Sequence, residues 1–342
     1  MHRVCLPALV FFVLAVAVQA ADTVRTAKAP LAGEVKAMTP TEVTLERSNK
    51  TETIPVNEIV NIRFEGEPSQ LGQVRNAVDR GRYEDAAEFL AKIDVAEVKR
   101  EEIQQDIAFY SALLAARQAA AAGGNAAEAQ AALEKFVKDF PNNYHVLAAY
   151  EAAGDLMAAT GDYEKAATFY KFVESQAPWV DYKMRAGIAM GRTLLKQEKF
   201  PEAAAVFDSV IQQGQGVEGE LVAQQSMLAT VGRANCLARA GQAEEGVKLV
   251  DALITAADPE QAELHALAYN ALGNCHRAAG RPKEALMAFL HVPLVYPNFA
   301  DAHAEALFNL VTLWKEVGDP ERSLEARAML DERYANTEWA KK

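Results

Sequence analysis

Residues 147–178 read LAAYEAAGDLMAATGDYEKAATFYKFVESQAP, and this stretch is the clearest indication of the fold. Counted from its first residue, Gly154 stands at position 8, Gly161 at 15, Tyr170 at 24 and Pro178 at 32. A small residue at position 8 lets two helices cross closely, and a large ring at position 24 fills the space between them. The glycine at position 15 supplies a turn, and the proline ends the second helix. The stretch therefore predicts two helices joined by a short turn.

The same pattern recurs along most of the chain. Successive turn positions are 81, 124, 161, 198, 241, 280 and 318, with spacings of 43, 37, 37, 43, 39 and 38 residues. One copy would be weak evidence, because Gly and Ala at helical spacing are common, but seven copies in phase are strong evidence for a repeat. The copies lie at residues 67–98, 110–141, 147–178, 184–215, 227–258, 266–297 and 304–335.

This pattern resembles the tetratricopeptide repeat, a helix–turn–helix unit of about 34 residues. Each spacing here is longer, so we expect longer linking turns or helices than in the family's standard unit. The resemblance implies a mostly α protein, with an α-solenoid over residues 67–342. Its stacked helix pairs would form a superhelix with a concave groove. The resemblance also implies that peptides or helices of partner proteins bind in that groove.

Residues 22–66, called the β-module below, have a different period. Apolar and polar residues alternate in 33–37 and 42–46, and further strand-like runs lie at 51–54 and 59–64. These runs predict four or five short strands in a small all-β, barrel-like unit that is similar to SH3-like or Sm-like barrels. Because 45 residues are marginal for independent stability, we expect the unit either to close into a barrel or to lean on the helices. The predicted interior consists of Val35, Val43, Leu45, Ile54, Ile59, Ile62 and Phe64.

Residues 1–20 have the pattern of a secretory signal peptide. Arg3 provides the positive start, an apolar run covers 8–18, and Val-Gln-Ala at 18–20 suits a signal peptidase. The apolar run has 11 residues, fewer than the roughly 20 that a membrane span needs. We therefore expect an exported protein, periplasmic or extracellular, without an integral membrane span after cleavage. The alternative is an uncleaved anchor.

The overall composition limits the possible functions. The chain has 342 residues, is 50% hydrophobic and carries a formal net charge of -12. Removal of residues 1–20 takes away Arg3, so the remaining chain carries -12 - 1 = -13. Half-apolar composition excludes a wholly disordered chain. The negative charge argues against nucleic acid as a partner, since such binding needs a basic surface.

The family lines its groove mainly with positions 2, 5, 9, 12 and 13 of each first helix. Transferring these positions predicts a basic, amide-rich groove within residues 185–315 of an otherwise acidic protein. Guanidinium and amide groups suit carboxylates, so one hypothesis is that this groove holds an acidic or C-terminal peptide segment. The alternative is that these side chains pair with nearby Glu and Asp residues. The predicted groove residues are Arg185, Arg192, Lys196, Asn235, Arg239, Asn270, Asn274, Arg277, Phe308 and Lys315, with Glu305 and Glu316 opposing the last two.

The sequence contains none of the catalytic motifs H-E-x-x-H, G-x-S-x-G or G-x-x-x-x-G-K-[ST]. Residues 214–219 match G-x-G-x-x-G, but no strand precedes them, so we interpret them as a linker between repeats. A metal site could be imagined from Cys275 and His276 beside Asp301, His303 and Glu305, but adjacent helical residues point in different directions. We therefore predict no catalytic residue, no cofactor and no metal.

Two cysteines remain beyond residue 20, and both stand at position 10 of adjacent copies. Equivalent positions on neighbouring helices lie roughly 8–10 Å apart, whereas a disulfide needs Cα atoms within about 7 Å. We therefore expect Cys236 and Cys275 to be free thiols that pack as small apolar groups. A disulfide between them is the alternative.

Together these features predict an exported, non-catalytic scaffold that binds partner proteins or peptides. A second possibility is a structural or assembly component of the cell envelope that acts through homo-oligomerisation or through the β-module. A third is an accessory binder of cell-wall polysaccharide. Sugar binding usually needs aromatic platforms, and Phe308 is the single aromatic residue among the predicted groove positions.

Overall fold

A computed structural model describes residues 21–122, 124–335 and 337–342. The predicted fold class is confirmed, because an antiparallel sheet is followed by a solenoid of helix pairs. The predicted signal peptide, residues 1–20, lies outside the described residues. No helix within the described ranges is both long enough and apolar enough to cross a bilayer.

Five strands form the sheet in the order β4-β3-β2-β1-β5, and all neighbours are antiparallel. Strand β1 was not predicted from the sequence, yet it is paired on both sides. Val24 of β1 faces Leu31 of β2 and Ile62 of β5. The bounds are β1 Asp22–Thr26, β2 Pro30–Met38, β3 Glu42–Arg47, β4 Lys50–Pro55 and β5 Ile59–Arg63.

The sheet leans on the helices, which was one of the two expected arrangements. Its edge strands β4 and β5 form no ladder with each other among the described residues. Val24, Leu45 and Phe64 are fully buried and belong to the same hydrophobic cluster as Leu71, a helical residue. Most of the predicted interior is buried, but Ile59 is only half-buried. One core therefore serves the β-module and the first repeats.

The helices form seven consecutive pairs in the described ranges, and each predicted turn position lies between the two helices of one pair. The bounds are α1 Ser69–Asp79, α2 Tyr83–Ala91, α3 Glu101–Ala122, α4 Ala126–Asp139, α5 Val146–Thr160, α6 Tyr163–Gln176, α7 Val180–Lys196, α8 Phe200–Gly214, α9 Glu220–Arg239, α10 Ala243–Ala256, α11 Ala262–Ala278, α12 Pro282–Val295, α13 Ala300–Glu316 and α14 Pro320–Tyr334. A short helix, α15, follows at Glu338–Lys341.

Close crossings of the helices explain the small and large positions of the repeat. Phe207 of α8 is fully buried between Gly191 of α7 and Gly232 of α9. A Cβ atom added at Gly191 or at Gly232 would lie 2.6 or 2.4 Å from the Phe207 ring. No real Cβ contact is that short, so the ring occupies space that only glycine leaves open.

The helices are arranged in two layers. The first helix of each pair contacts the first helix of the next pair from α3 to α13, and we call these helices the inner layer. Each second helix from α2 to α12 packs between its own partner and the following first helix. The inner layer therefore presents one continuous face, on which side chains from successive repeats lie next to each other.

Buried ion pairs join the β-module to the helices. Asp22 is 2% exposed, and its carboxylate accepts hydrogen bonds from the N–H groups of Val35 (2.8 Å) and Glu65 (2.9 Å). Both guanidinium Nη atoms of Arg100, which precedes α3, donate to it at 2.6 and 2.8 Å. Burial opposes ionisation of Asp22, but Arg100 and the two N–H donors outweigh it and hold its pKa below the usual aspartate range.

A second buried network centres on Arg75 of α1. Its guanidinium binds both carboxylate oxygens of Glu67 at 2.8 Å and donates to Asp106 Oδ2 at 2.7 and 3.2 Å. Asp106, which is fully buried in α3, also contacts His145 Nε2 at 3.0 Å and accepts from the Tyr144 hydroxyl at 3.2 Å. This network connects the end of the β-module to α1, α3 and the start of α5.

Candidate functional site

The candidate site is the face of the inner layer from α7 to α13, and we call it the groove face. It carries the repeat positions that the resemblance assigned to the groove. The structure uses the predicted residues in three different ways. Some pair with acidic neighbours, some form an amide cluster with Glu305, and some are exposed without an ionic partner among the described residues.

Arg185 of α7 pairs with an acidic residue of the preceding repeat. Its Nε and Nη2 atoms donate to the two carboxylate oxygens of Glu151 at 2.7 and 2.8 Å, and its guanidinium lies 4.0 Å from the centre of the Tyr182 ring. Burial raises the pKa of Glu151, although Arg185 opposes this shift. Arg185 is therefore occupied by an ion pair within the chain. The repeat pattern alone did not identify Glu151 as its partner.

Three of the predicted amides and Glu305 form one hydrogen-bonded group across α9, α11 and α13, which we call the Glu305 cluster. Asn274 Nδ2 donates to Asn235 Oδ1 and to Glu305 Oε1, both at 3.1 Å. Asn270 Nδ2 donates to the Ala302 carbonyl at 2.8 Å and to Glu305 Oε2 at 3.3 Å. Burial raises the pKa of Glu305, and the two asparagine amides partly counter that shift. Asn270 and Asn274 therefore donate hydrogen bonds to Glu305, an acidic residue of the chain itself.

Arg277 of α11 reaches the next repeat. Its Nη1 atom donates to Asn309 Oδ1 at 2.9 Å, and Asn309 Nδ2 donates in turn to the Glu305 carbonyl at 2.9 Å. The buried Asn309 was not among the predicted site residues, because it stands at a packing position of the repeat. Arg277 nevertheless stays exposed at the groove face.

Besides Arg277, three cations of the groove face have no acidic partner among the described residues. Arg192 of α7, Arg239 of α9 and Lys315 of α13 are all exposed. The Arg239 guanidinium lies 6.0 Å from the centre of the Phe200 ring, at the outer limit of a cation–π contact. Exposed guanidinium groups of this kind are available for carboxylates of another molecule.

The last two predicted residues meet α15. Lys196, at the end of α7, forms an ion pair with Glu338 at 3.2 Å. Phe308 of α13 packs against Trp339, with 5.5 Å between ring centres. The predicted repeats end at residue 335, so the sequence analysis had no basis for placing these contacts.

Two of the residues named for a metal site, Cys275 and His303, contact other groups. The Cys275 thiol donates to the Ala234 carbonyl at 3.5 Å, and His303 Nδ1 lies 2.8 Å from the Tyr334 hydroxyl. Within the described ranges, no three His, Cys, Asp or Glu side chains form a group suited to a metal ion. Cys236 and Cys275 are buried free thiols, and burial raises their pKa to about 11 and about 12.

Two tetratricopeptide-repeat family models match the chain, one over residues 109–143 and the other over residues 188–262. A tetratricopeptide repeat protein from Parabacteroides merdae has a similar structure, with a TM-score of 0.53 and 17% identity over 80% of this chain and 95% of that one. None of the curated proteins is detectably similar in sequence.

Two further solved structures have the same fold and hold a peptide or factor. A Rap protein complexed with competence and sporulation factor gives a TM-score of 0.54 and 14% identity, over 79% of this chain and 77% of that one. NprR in complex with its cognate peptide NprX gives 0.51 and 13%, over 79% of each chain. At these identities the likeness shows the fold.

Proposed function

Since the chain belongs to the tetratricopeptide-repeat proteins, we propose that it is a non-catalytic scaffold that binds a segment of a partner protein along its groove face. Repeat solenoids of this kind offer an extended surface instead of a closed pocket. The two similar structures that hold a peptide or factor support this proposal as analogies of fold.

The main support for this proposal is the exposed arginines of the groove face that have no acidic partner among the described residues. Arg185 and Lys196 are matched by Glu151 and Glu338, whereas Arg192 and Arg239 have no carboxylate among the described residues. A protein of net charge -12 has many acidic groups with which to neutralise surface arginines. Two exposed guanidinium groups on adjacent inner helices therefore favour an acidic segment of the partner.

Charge reversal at the groove face tests this proposal. We expect the double variant Arg192→Glu, Arg239→Glu to bind the partner at least about tenfold more weakly, because two attractive contacts become repulsive. The measurement is recovery of partner proteins from envelope extracts by the immobilised chain, followed by titration of the main partner.

The matched control is Lys171→Glu, Lys248→Glu, which makes the same charge change at exposed positions of the second helices α6 and α10. It should bind like the unmodified chain. Equal binding by all three proteins would show that the groove-face arginines do not recognise the partner.

We further propose that the protein works outside the cytoplasm, in the periplasm or beyond the cell. The signal-like pattern of residues 1–20 motivates this proposal, and Asp22, the first residue of β1, lies just after the expected cleavage point. Removal of residues 1–20 would therefore leave every strand of the sheet intact. The N-terminal residue of the protein recovered from the exported fraction should be Ala21. Recovery of an uncleaved, membrane-associated chain would contradict the proposal.

A further inference from the structure

The α15 segment, residues 337–342, lies against the groove face. The Trp339 ring packs on Phe308 of α13, and Arg327 Nη2 of α14 donates to the Ala340 carbonyl at 2.9 Å. The segment has the sequence Thr-Glu-Trp-Ala-Lys-Lys and is half-buried or exposed throughout. It is therefore a short, amphipathic piece of the chain that sits where predicted groove residues are.

The segment also carries charges that match both ends of this surface. Glu338 reaches Lys196 of α7, three repeats earlier in the chain. Lys342 places its ammonium group 4.0 Å from the centre of the Trp339 ring and 6.0 Å from that of Phe308. One short helix thus offers a carboxylate to the cationic α7 and an ammonium group beside α13.

The Glu305 cluster, which spans α9, α11 and α13, contains a buried acceptor without a donor among the described residues. The Glu305 carboxylate is desolvated, and the charge of Lys342 acts on it to lower its pKa, whereas the charge of Glu338 acts to raise it. Asn270 Nδ2 donates to two acceptors, so the Oδ1 atom of this amide points away from them. This oxygen is buried and has no donor among the described residues. Such a cluster suits a cationic side chain more than a second anion.

We propose that the α15 segment is an intramolecular ligand of the groove face and shows which partner segments this face accepts. The pattern begins with a carboxylate that pairs with Lys196, and an aromatic side chain that packs on Phe308 follows directly. An ammonium group stands four residues after the carboxylate and lies near Glu305 of α13. This inference rests on the proposed function and refines it, because the partner must displace the α15 segment.

Displacement is physically feasible. The ion pair between Lys196 and Glu338 is about half-exposed on both sides, and exposed pairs contribute little stability. The segment remains bound mainly because it is tethered, which gives it an effective concentration of about millimolar. A partner with the same pattern and additional contacts to Arg192 and Arg239 would compete successfully.

A binding titration with the segment as a free peptide tests the proposal. The probe is a fluorescein-labelled peptide Thr-Glu-Trp-Ala-Lys-Lys, and the receptor is the chain without residues 337–342. Fluorescence anisotropy should show saturable binding, at least about tenfold tighter than to the full chain, whose own segment competes. In the shortened chain, Lys196→Glu and Glu305→Gln should each weaken binding about three- to tenfold.

The control peptide exchanges the glutamate and the last lysine, which keeps composition and net charge, and it should bind at least about fivefold more weakly. Equal binding of both peptides, equal binding to the shortened and full chains, or the absence of saturable binding would overturn the proposal. If the shortened chain is unfolded by circular dichroism, the full chain with Glu338→Lys and Trp339→Ala replaces it, and must bind the probe more tightly than the unmodified chain.

The two proposals fail in different ways. Loss of partner binding in the Arg192→Glu, Arg239→Glu variant, together with no binding of the probe, would remove the α15 proposal alone. Normal binding of the probe, together with a partner that is insensitive to both arginines, would remove the proposed recognition of an acidic segment.

Discussion

Replacing Arg75 by Met is expected to lower the free energy of unfolding of the N-terminal repeats by about 3–5 kcal/mol. Arg75 is 3% exposed and is the shared cation of two buried carboxylates, Glu67 and Asp106. Without it, both carboxylates stay in the core without a positive partner, apart from the contact of Asp106 with His145, whose pKa burial lowers. The loss therefore comes mainly from two unpaired charges and only in small part from lost packing.

Hydrogen exchange measured segment by segment is the appropriate assay, because a solenoid does not unfold as a single unit. Protection should fall in α1, α3 and the β-module, and remain unchanged in α11–α14, which belong to repeats much further along the chain. The triple variant Arg75→Met, Glu67→Gln, Asp106→Asn should recover at least half of the loss, since it buries no net charge. A loss below about 1 kcal/mol in Arg75→Met would contradict this account.

The same network sets the sign of a pH effect. Burial opposes ionisation of Asp106, but Arg75 and the His145 contact outweigh it, so the pKa of Asp106 in the folded chain lies below its usual value of about 3.9. Its contribution to stability is therefore present above about pH 3.9 and is lost as the pH falls towards the folded-state value. In Arg75→Met the pH dependence of the stability should reverse, because buried, unpaired carboxylates prefer the protonated form. The deficit of that variant should shrink between pH 7 and pH 4.

Replacing Phe207 by Ala is expected to cost about 3–5 kcal/mol, the usual range for a fully buried phenylalanine. The ring fills the space left by Gly191 and Gly232, so its removal opens a cavity between three helices. No β-carbon at either glycine can move in to close it. Exchange of amide hydrogens in α7, α8 and α9 should therefore accelerate strongly.

The control for this prediction is Leu324→Ala. Leu324 is 69% exposed on α14, so its truncation should change stability by less than about 0.5 kcal/mol. If Phe207→Ala were as mild as this control, the ring would not be the element that holds neighbouring repeats together.

Much of the fold could be predicted from the sequence, because each repeat carries its own local pattern of turn, small and large residues. Gly161 and its equivalents mark the turns, and the pairing of Gly191 with Phe207 within one copy already predicts a close crossing. Strand β1 was missed because its five residues carry one clear apolar position, Val24, which is too few to show a period of two. Its pairing with the adjacent β2 and the distant β5 becomes visible only in the structure.

The site is harder to predict than the fold, because a repeat register gives a side chain's position on its own helix but not its neighbour's identity. The exposed positions of Arg192, Arg239 and Lys315 agree with the register. Asn235, Asn270 and Asn274 stand at groove positions too, but they hydrogen-bond to one another or to Glu305 across repeats. Only the packing of the helices shows which cations already have a partner, namely Glu151 of α5 for Arg185 and Glu338 of α15 for Lys196.

Site-specific photo-crosslinking in intact cells can locate the binding surface for the partner. A photoreactive phenylalanine analogue is placed either at position 192, on the inner layer, or at position 171, on the outer helix α6. Mass spectrometry then identifies the crosslinked segments. The account predicts capture of one acidic partner segment from position 192 and no capture of it from position 171. Equal capture from both positions, or capture from position 171 alone, would contradict the claim that the groove face is the binding surface.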